Sequence, residues 1–187
     1  MSHSNPTPET RIPGAVTLSD TCLNIKADAR RYHRWYKAPG FWVTFSYRVR
    51  RLRKHGNAYW KLLLPLDICA GLFRSLMSDT KIPADVPAGP GLCLPHPIGV
   101  IINDLVFIGD YVDIFQHVTV GEWGGKAPVL KNGAKLFAGA RVFGDIIIGE
   151  HCKIGANTVV NIDVPDNHVA YMEGLTLKPK KETKSAQ

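Results

Sequence analysis

The sequence predicts a mainly β protein, a parallel β-helix preceded by an α-helical region, on three observations. Stepping by six from Ile82 gives Ala88, Leu94, Val100, Val106, Val112, Val118, Gly124, Leu130, Leu136, Val142, Ile148, Ile154 and Val160, apolar at every step except Gly124. A small or polar residue often follows the apolar one, as in AGPGLC, IGEHCK and IGANTV. No helix or half-buried strand has that period; a short flat strand plus a turn does, and three of them close a triangular coil of about 18 residues that stacks at about 4.8 Å. Upstream the period is helical, with Trp42, Phe45, Val49 and Leu52 recurring on one side.

Taken in chain order, the first 17 residues are polar and proline-containing and read as a loose arm rather than a secretory signal. Residues 18–80 form the helical region. Between Arg30 and Lys54 lie nine Lys/Arg and no acid, within a net charge of +7. Arg48, Arg50, Arg51 and Lys54 are expected to point away from the apolar stripe, between the breaker pairs Pro39-Gly40 and Gly56-Asn57. That leaves two readings, a solvated basic back or peripheral contact with an anionic membrane; no nucleic-acid module accompanies the charge. The apolar run WKLLLPLDICAGLFRSLM is broken by Lys61, Asp67 and Arg74, so no spanning helix is expected. Residues 81–172 form the β-helix, and 173–187 a charged tail. The four cysteines, Cys22, Cys69, Cys93 and Cys152, make no CxxC pair, which fits a reducing cytosol and signals no metal site.

Gly124 marks the one break, and EWGGKA (residues 122–127) is expected to loop out and remove six residues from the repeat. With that correction His96, Ile114, Ala138 and Ala156 fall at one position of one face. His96, in LPHPIGVIIN, then heads a column whose Ala138 and Ala156 leave backbone open to an extended ligand. Three coils separate Ala156 from His96 by roughly 14 Å, of the order of a pantetheine arm. Lys135 and Lys153, 18 apart, stack nearby and are placed to meet nucleotide phosphates. A neutral imidazole is suited to taking a proton from a hydroxyl.

From Lys81 to about Val164 the chain resembles serine O-acetyltransferases and their relatives in bacterial polysaccharide biosynthesis, through LPHPIGVIIN, FQHVTVG and LFAGARVFGDIIIGEHCKIGANTVV. The resemblance implies a left-handed β-helix, acetyl-CoA as co-substrate, a homotrimer and His96 as general base. It also implies Gly121, Ala138, Gly139, Lys153 and Ala156 as acetyl-CoA contacts, with Gln116 beside the active site. Serine enzymes carry an aspartate at the place of Lys81, another at Pro95, and an Arg-His pair at Lys126-Ala127. On those departures, and on the likeness of IPxxxxxGxGLxLPHPxGVxIN to exopolysaccharide and capsule acetyltransferases, the acceptor is expected to be a sugar hydroxyl, free or lipid-linked. Gln116, His117, Tyr111 and Trp123 are expected to hold it. Asp113, one coil on from His96, is the candidate orienting carboxylate. The alternatives are a serine O-acetyltransferase and a non-catalytic β-helix interaction module. The three-histidine zinc pattern of γ-class carbonic anhydrases is absent, since Glu122 stands five residues after His117. The expected location is the cytoplasm, including the inner face of the membrane.

Overall fold

The computed structural model describes residues 16–173; the arm up to residue 15 and the tail from residue 174 lie outside them. Three helices come first, α1 (Leu18–Arg30), α2 (Pro39–His55) and α3 (Leu64–Met77). The Thr17 hydroxyl caps α1 by accepting the Asp20 N–H at 3.1 Å, a donor the helix itself cannot satisfy. Pro39 opens α2, where the N–H it lacks has no partner in any case.

Short strands of two or three residues follow, in three parallel sheets that form the sides of a coil. The first side stacks Ile101–Ile102, Thr119–Gly121, Arg141–Phe143 and Val159–Val160; the second Phe107–Ile108, Val129–Leu130 and Ile147–Ile148; the third Asp113–Ile114, Lys135–Leu136, Lys153–Ile154 and Val169–Ala170. Neighbours in space are three strands apart in sequence, except Lys153–Ile154 and Val169–Ala170, which are two apart, the topology of a three-sided prism. Each side sends two apolar residues inward, two positions apart: Val100 and Ile102, Val106 and Ile108, Val112 and Ile114, and so upward to Cys152 and Ile154, all buried. The first turn of the coil, from Lys81, is joined to the second through the bridges Lys81 to Ile101, Ala88 to Ile108 and Cys93 to Asp113.

The coils differ in length. Lys81 pairs with Ile101, 20 residues on; Thr119 with Arg141, 22 on; Lys135 with Lys153, 18 on; and Lys153 with Val169, 16 on. The two extra residues of the first coil lie at the His96 turn, because Cys93 still pairs at 20 while Ile101 pairs with Thr119 at 18. The four extra residues of the second lie in the 122–127 loop, because Phe107 pairs with Val129 at 22. There Trp123 and Lys126 form an antiparallel bridge around Gly124 and Gly125, both at positive φ. The loop thus removes four residues, not six. The two insertions together add one repeat, so the six-residue arithmetic returns to register beyond the loop.

The helices sit on the open end of the first coil. There the strand edge presents backbone groups with no coil beneath them, a cost for any buried polar atom. Arg48 donates to the Ala88 and Gly89 carbonyls at 2.7 and 2.6 Å, and Arg51 to those of Ala84 and Val86 at 2.8 and 3.0 Å. Tyr47 donates to Val86 O at 2.6 Å. Asp28 accepts the Leu92 N–H at 2.9 Å and the Tyr32 hydroxyl that of Leu94 at 2.9 Å.

The expected outward basic face is therefore corrected. Arg48 and Arg51 are only 2% and 6% exposed, on the same inward side as Val49 and Leu52. Arg50 reaches Ile82 O at 3.3 Å, Arg53 pairs with Asp67 at 2.7 Å, and Lys54 with Asp85 at 2.6 Å. Charges so engaged are not offered to a bilayer, and the membrane expectation for this helix has no support. Among the described residues no helix is long and apolar enough to cross a membrane.

Asp28 and Arg48 form the most buried ion pair, with Nε to Oδ2 at 3.0 Å. Burial pushes the Asp28 carboxyl above its ordinary value, while Arg48 and the Leu92 N–H pull it down. Removing one partner of such a pair strands the other without solvent. Arg48→Met is expected to lower stability by about 3–5 kcal/mol in urea denaturation followed by circular dichroism.

Candidate active site

The site is built on the corner where the third side turns into the first. Asn157 N–H bonds Ala138 O at 2.9 Å, Gly139 N–H bonds Gln116 O at 2.9 Å, and His117 N–H bonds Ile98 O at 2.8 Å. These bonds stack Ala156, Ala138, Gln116 and Ile98 in one vertical ladder. Ile114 is not in it: it pairs with Leu136 and lies in the core, fully buried. Its expected place belongs to Gln116, a shift of two residues that follows from the shorter loop.

His96 sits at the foot of this ladder, on the two-residue bulge between Pro95 and Pro97, with its side chain exposed. Proline on either side restricts the backbone there. The bulge is tied from below by the segment after α3. Ser78 Oγ donates to Pro97 O and accepts the Thr80 N–H at 3.0 Å, and the Asp79 carboxylate accepts the Gly99 N–H at 2.6 Å. Ile98 N–H closes the bulge onto His96 O at 2.9 Å. The histidine is thus an exposed imidazole on a fixed support rather than a core residue. The sequence carries no signal for Ser78 and Asp79 beyond their position just ahead of the first coil.

The corner also brings in His117, at φ 58°, whose ring lies over Gly99. Gly139, at φ +73°, turns the chain where a side chain would strike Asn157 Oδ1. Gly121 lies under the Phe143 ring, and a Cβ there would come within 2.7 Å of it. Both glycines therefore have packing reasons of their own.

Other expected site residues lie apart. Tyr111 is on the corner between the second and third sides, its ring over Gly91 and 5.8 Å from the Arg31 guanidinium. Trp123 is on the loop at the third corner, 75% exposed. Within one chain, neither shares the His96 corner. Lys126 pairs with Asp145 at 2.6 Å, and Ala127 is buried. Lys135 and Lys153 are register partners on the third side, next to the corner.

Asp113 does not orient His96. Its carboxylate is held by Arg31 on one oxygen and by Lys135 on the other at 3.1 Å, and it makes no hydrogen bond to the histidine. Arg31, just beyond α1, was invisible as its partner from a distance of 82 residues. Among the described residues, no group of three or more His, Cys, Asp or Glu is arranged to hold a metal ion.

No protein-family model matches the chain. The chain superposes with a TM-score of 0.64 on a serine acetyltransferase in complex with CoA, at 26% identity, covering 82% of this chain and 66% of that one. The fold is the left-handed β-helix of the hexapeptide-repeat acyltransferases, and that is the class of this protein. The Neisseria gonorrhoeae serine acetyltransferase in complex with serine shares the fold at TM-score 0.66 and 24% identity, over 86% of this chain and 69% of that one. A serine acetyltransferase from Helicobacter pylori is 44% identical over 136 residues, 71% of this chain and 77% of that protein. The chain belongs to the serine acetyltransferase family. Another relative, the Synechococcus elongatus serine acetyltransferase, is 32% identical over 156 residues; the match takes 75% of this chain but only 61% of that protein's length.

These likenesses overturn the expectation of a polysaccharide O-acetyltransferase. The relatives bear the name serine acetyltransferase, not that of a capsule or exopolysaccharide enzyme. The saccharide acceptor, free or lipid-linked, finds no support.

Because the buried Ser78 hydroxyl serves both Pro97 O and Thr80 N–H, Ser78→Ala removes two hydrogen bonds to backbone groups. The expected cost is about 1–3 kcal/mol, read as a lower urea midpoint with an unchanged slope.

Proposed function

We propose that this protein transfers the acetyl group of acetyl-CoA to the hydroxyl of serine, with His96 as general base. Kinship carries the substrate assignment, since the named relatives are serine acetyltransferases and solved neighbours hold CoA or serine. The observation that carries the mechanism is the exposed His96 imidazole at the foot of a ladder whose upper rungs are Ala138 and Ala156. In this reading residues 81–172 perform the chemistry and 18–80 serve as their cap.

The ladder suits the co-substrate. Ala138 and Ala156 project no bulk, and Ala156 stands three coil steps, roughly 14 Å, from the His96 level. Gly139 turns the chain beside the path, and Lys153 stands next to it for phosphate, with its register partner Lys135 held by Asp113. Neutral His96 removes the proton from the acceptor hydroxyl as its oxygen bonds to the acetyl carbonyl carbon. The imidazolium returns that proton to the departing sulfur as the C–S bond breaks. Such proton transfer is worth about 10² to 10⁴ in rate.

The working unit in this proposal is a homotrimer. Tyr111 and Trp123 lie on the two corners that His96 does not occupy, so only a neighbouring copy would bring either to the histidine. The proposed arrangement is three flat-sided prisms around a threefold axis. A cytoplasmic location fits the cysteines, all four of which are free thiols.

His96→Ala is expected to lower kcat by about 10²-fold or more in a thiol-release assay with acetyl-CoA and serine while calorimetric CoA binding persists. Unchanged turnover would remove His96 from the mechanism. Absence of O-acetylserine by mass spectrometry would overturn the substrate. Light scattering is expected to give three times the chain mass, and a monomer at working concentration would overturn the assembly.

A further inference from the structure

We infer that Gln116 holds the donor substrate itself: its side-chain amide oxygen accepts the N–H of the pantetheine amide nearest the thioester. This rests on the proposed use of acetyl-CoA and adds the group that fixes the reacting end of the arm.

The starting point is an unmet acceptor. Gln116 Oε1 is buried and has no hydrogen-bond partner. A buried acceptor left without a donor costs free energy, and native proteins keep few of them. Nothing in the packing of the coil calls for a glutamine here: the main chain of Gln116 already serves the ladder through Gly139, and the next two rungs are alanines.

The place of this oxygen says which donor it meets. Gln116 is the rung between the His96 bulge and Ala138. With the acetyl carbonyl at His96 and the arm laid up the ladder toward Ala156, the next polar group beyond the sulfur is an amide N–H. Two methylenes separate it from the sulfur, an extended reach of about 4 Å on ordinary bond lengths. One coil step is about 4.8 Å. The N–H and the Gln116 rung therefore come level. The rungs above, Ala138 and Ala156, have no polar side-chain atom, so this is the one side-chain acceptor on the ladder. Seating the arm supplies the donor that Oε1 lacks, and it fixes the distance from thioester to imidazole.

Three proteins and two small donors test this. CoA affinity is measured by calorimetry for the wild type, Gln116→Leu and Gln116→Glu. The leucine variant is expected to bind CoA about fivefold to tenfold more weakly, while the glutamate variant, which keeps an acceptor oxygen, stays closer to the wild type. Acetyl transfer is then compared for S-acetyl-N-acetylcysteamine and its oxygen-ester counterpart, which lacks the N–H. The wild type is expected to prefer the amide by a similar factor in kcat/KM and Gln116→Leu to lose that preference, the coupling expected of two groups in contact. Equal discrimination in wild type and leucine variant overturns the inference. So does a leucine variant with unchanged CoA affinity and a raised KM for serine, which would assign the oxygen to the acceptor's ammonium. Wild-type protein that binds no CoA overturns the parent proposal as well, a result distinct from both.

Discussion

Everything above the first coil depends on how its lower edge is closed. A stack of parallel strands satisfies its interior backbone by repetition, but an end has no repeat beneath it. Here α1 and α2 supply the missing layer, with Arg48 and Arg51 as donors to five first-coil carbonyls and Asp28 and Tyr32 as acceptors for two amides. Apolar side chains cannot do this. An edge of orphaned carbonyls needs donors of long reach, and the guanidinium fork supplies several at once. The Asp28–Arg48 pair is thus bound to the edge it protects, and the buried charge is neutralised where the helix meets the coil.

The same requirement explains what the sequence could and could not show. The six-residue period was legible because the inward positions are apolar regardless of what the turns do. It survived two irregularities because the bulge at His96 and the loop at 122–127 add two and four residues, one full repeat in sum. Between them the step of six slides from one inward position to the other, from Leu94 to Val100, and both are apolar. That masking is why Ile114 was seated on the ladder in place of Gln116. The inward course of the α2 arginines escapes the sequence for a different reason: a helical wheel sorts charge from oil, and this helix packs against polar backbone. Asp113 seemed free to serve His96 because its cation, Arg31, comes from the far end of the fold.

The histidine itself was legible from its setting. Prolines on both sides and the alanines Ala138 and Ala156 above it required only the coil count. Its support was not, since Ser78 and Asp79 act through backbone groups and carry no spacing signature. Nor could a chain read alone show that Tyr111 and Trp123 stand on other corners. Corner identity depends on the length of each coil, which the turns conceal.

One recurrent feature of the corners has a consequence for how the molecule is made. Tyr111, His117, His151 and Asn157, all at positive φ, each lay a side chain over a glycine one coil earlier, on Gly91, Gly99, Gly133 and Gly139. The relation runs one way: the earlier coil offers the bare seat and the later one fills it. Each completed turn is therefore a mould for its successor but not for its predecessor. A chain delivered from its N-terminal side meets the helical layer first, then the coil that layer closes, then each seat before its occupant. Order of synthesis and order of seating coincide at these four corners, a geometry compatible with a prism built away from the helices one rung at a time.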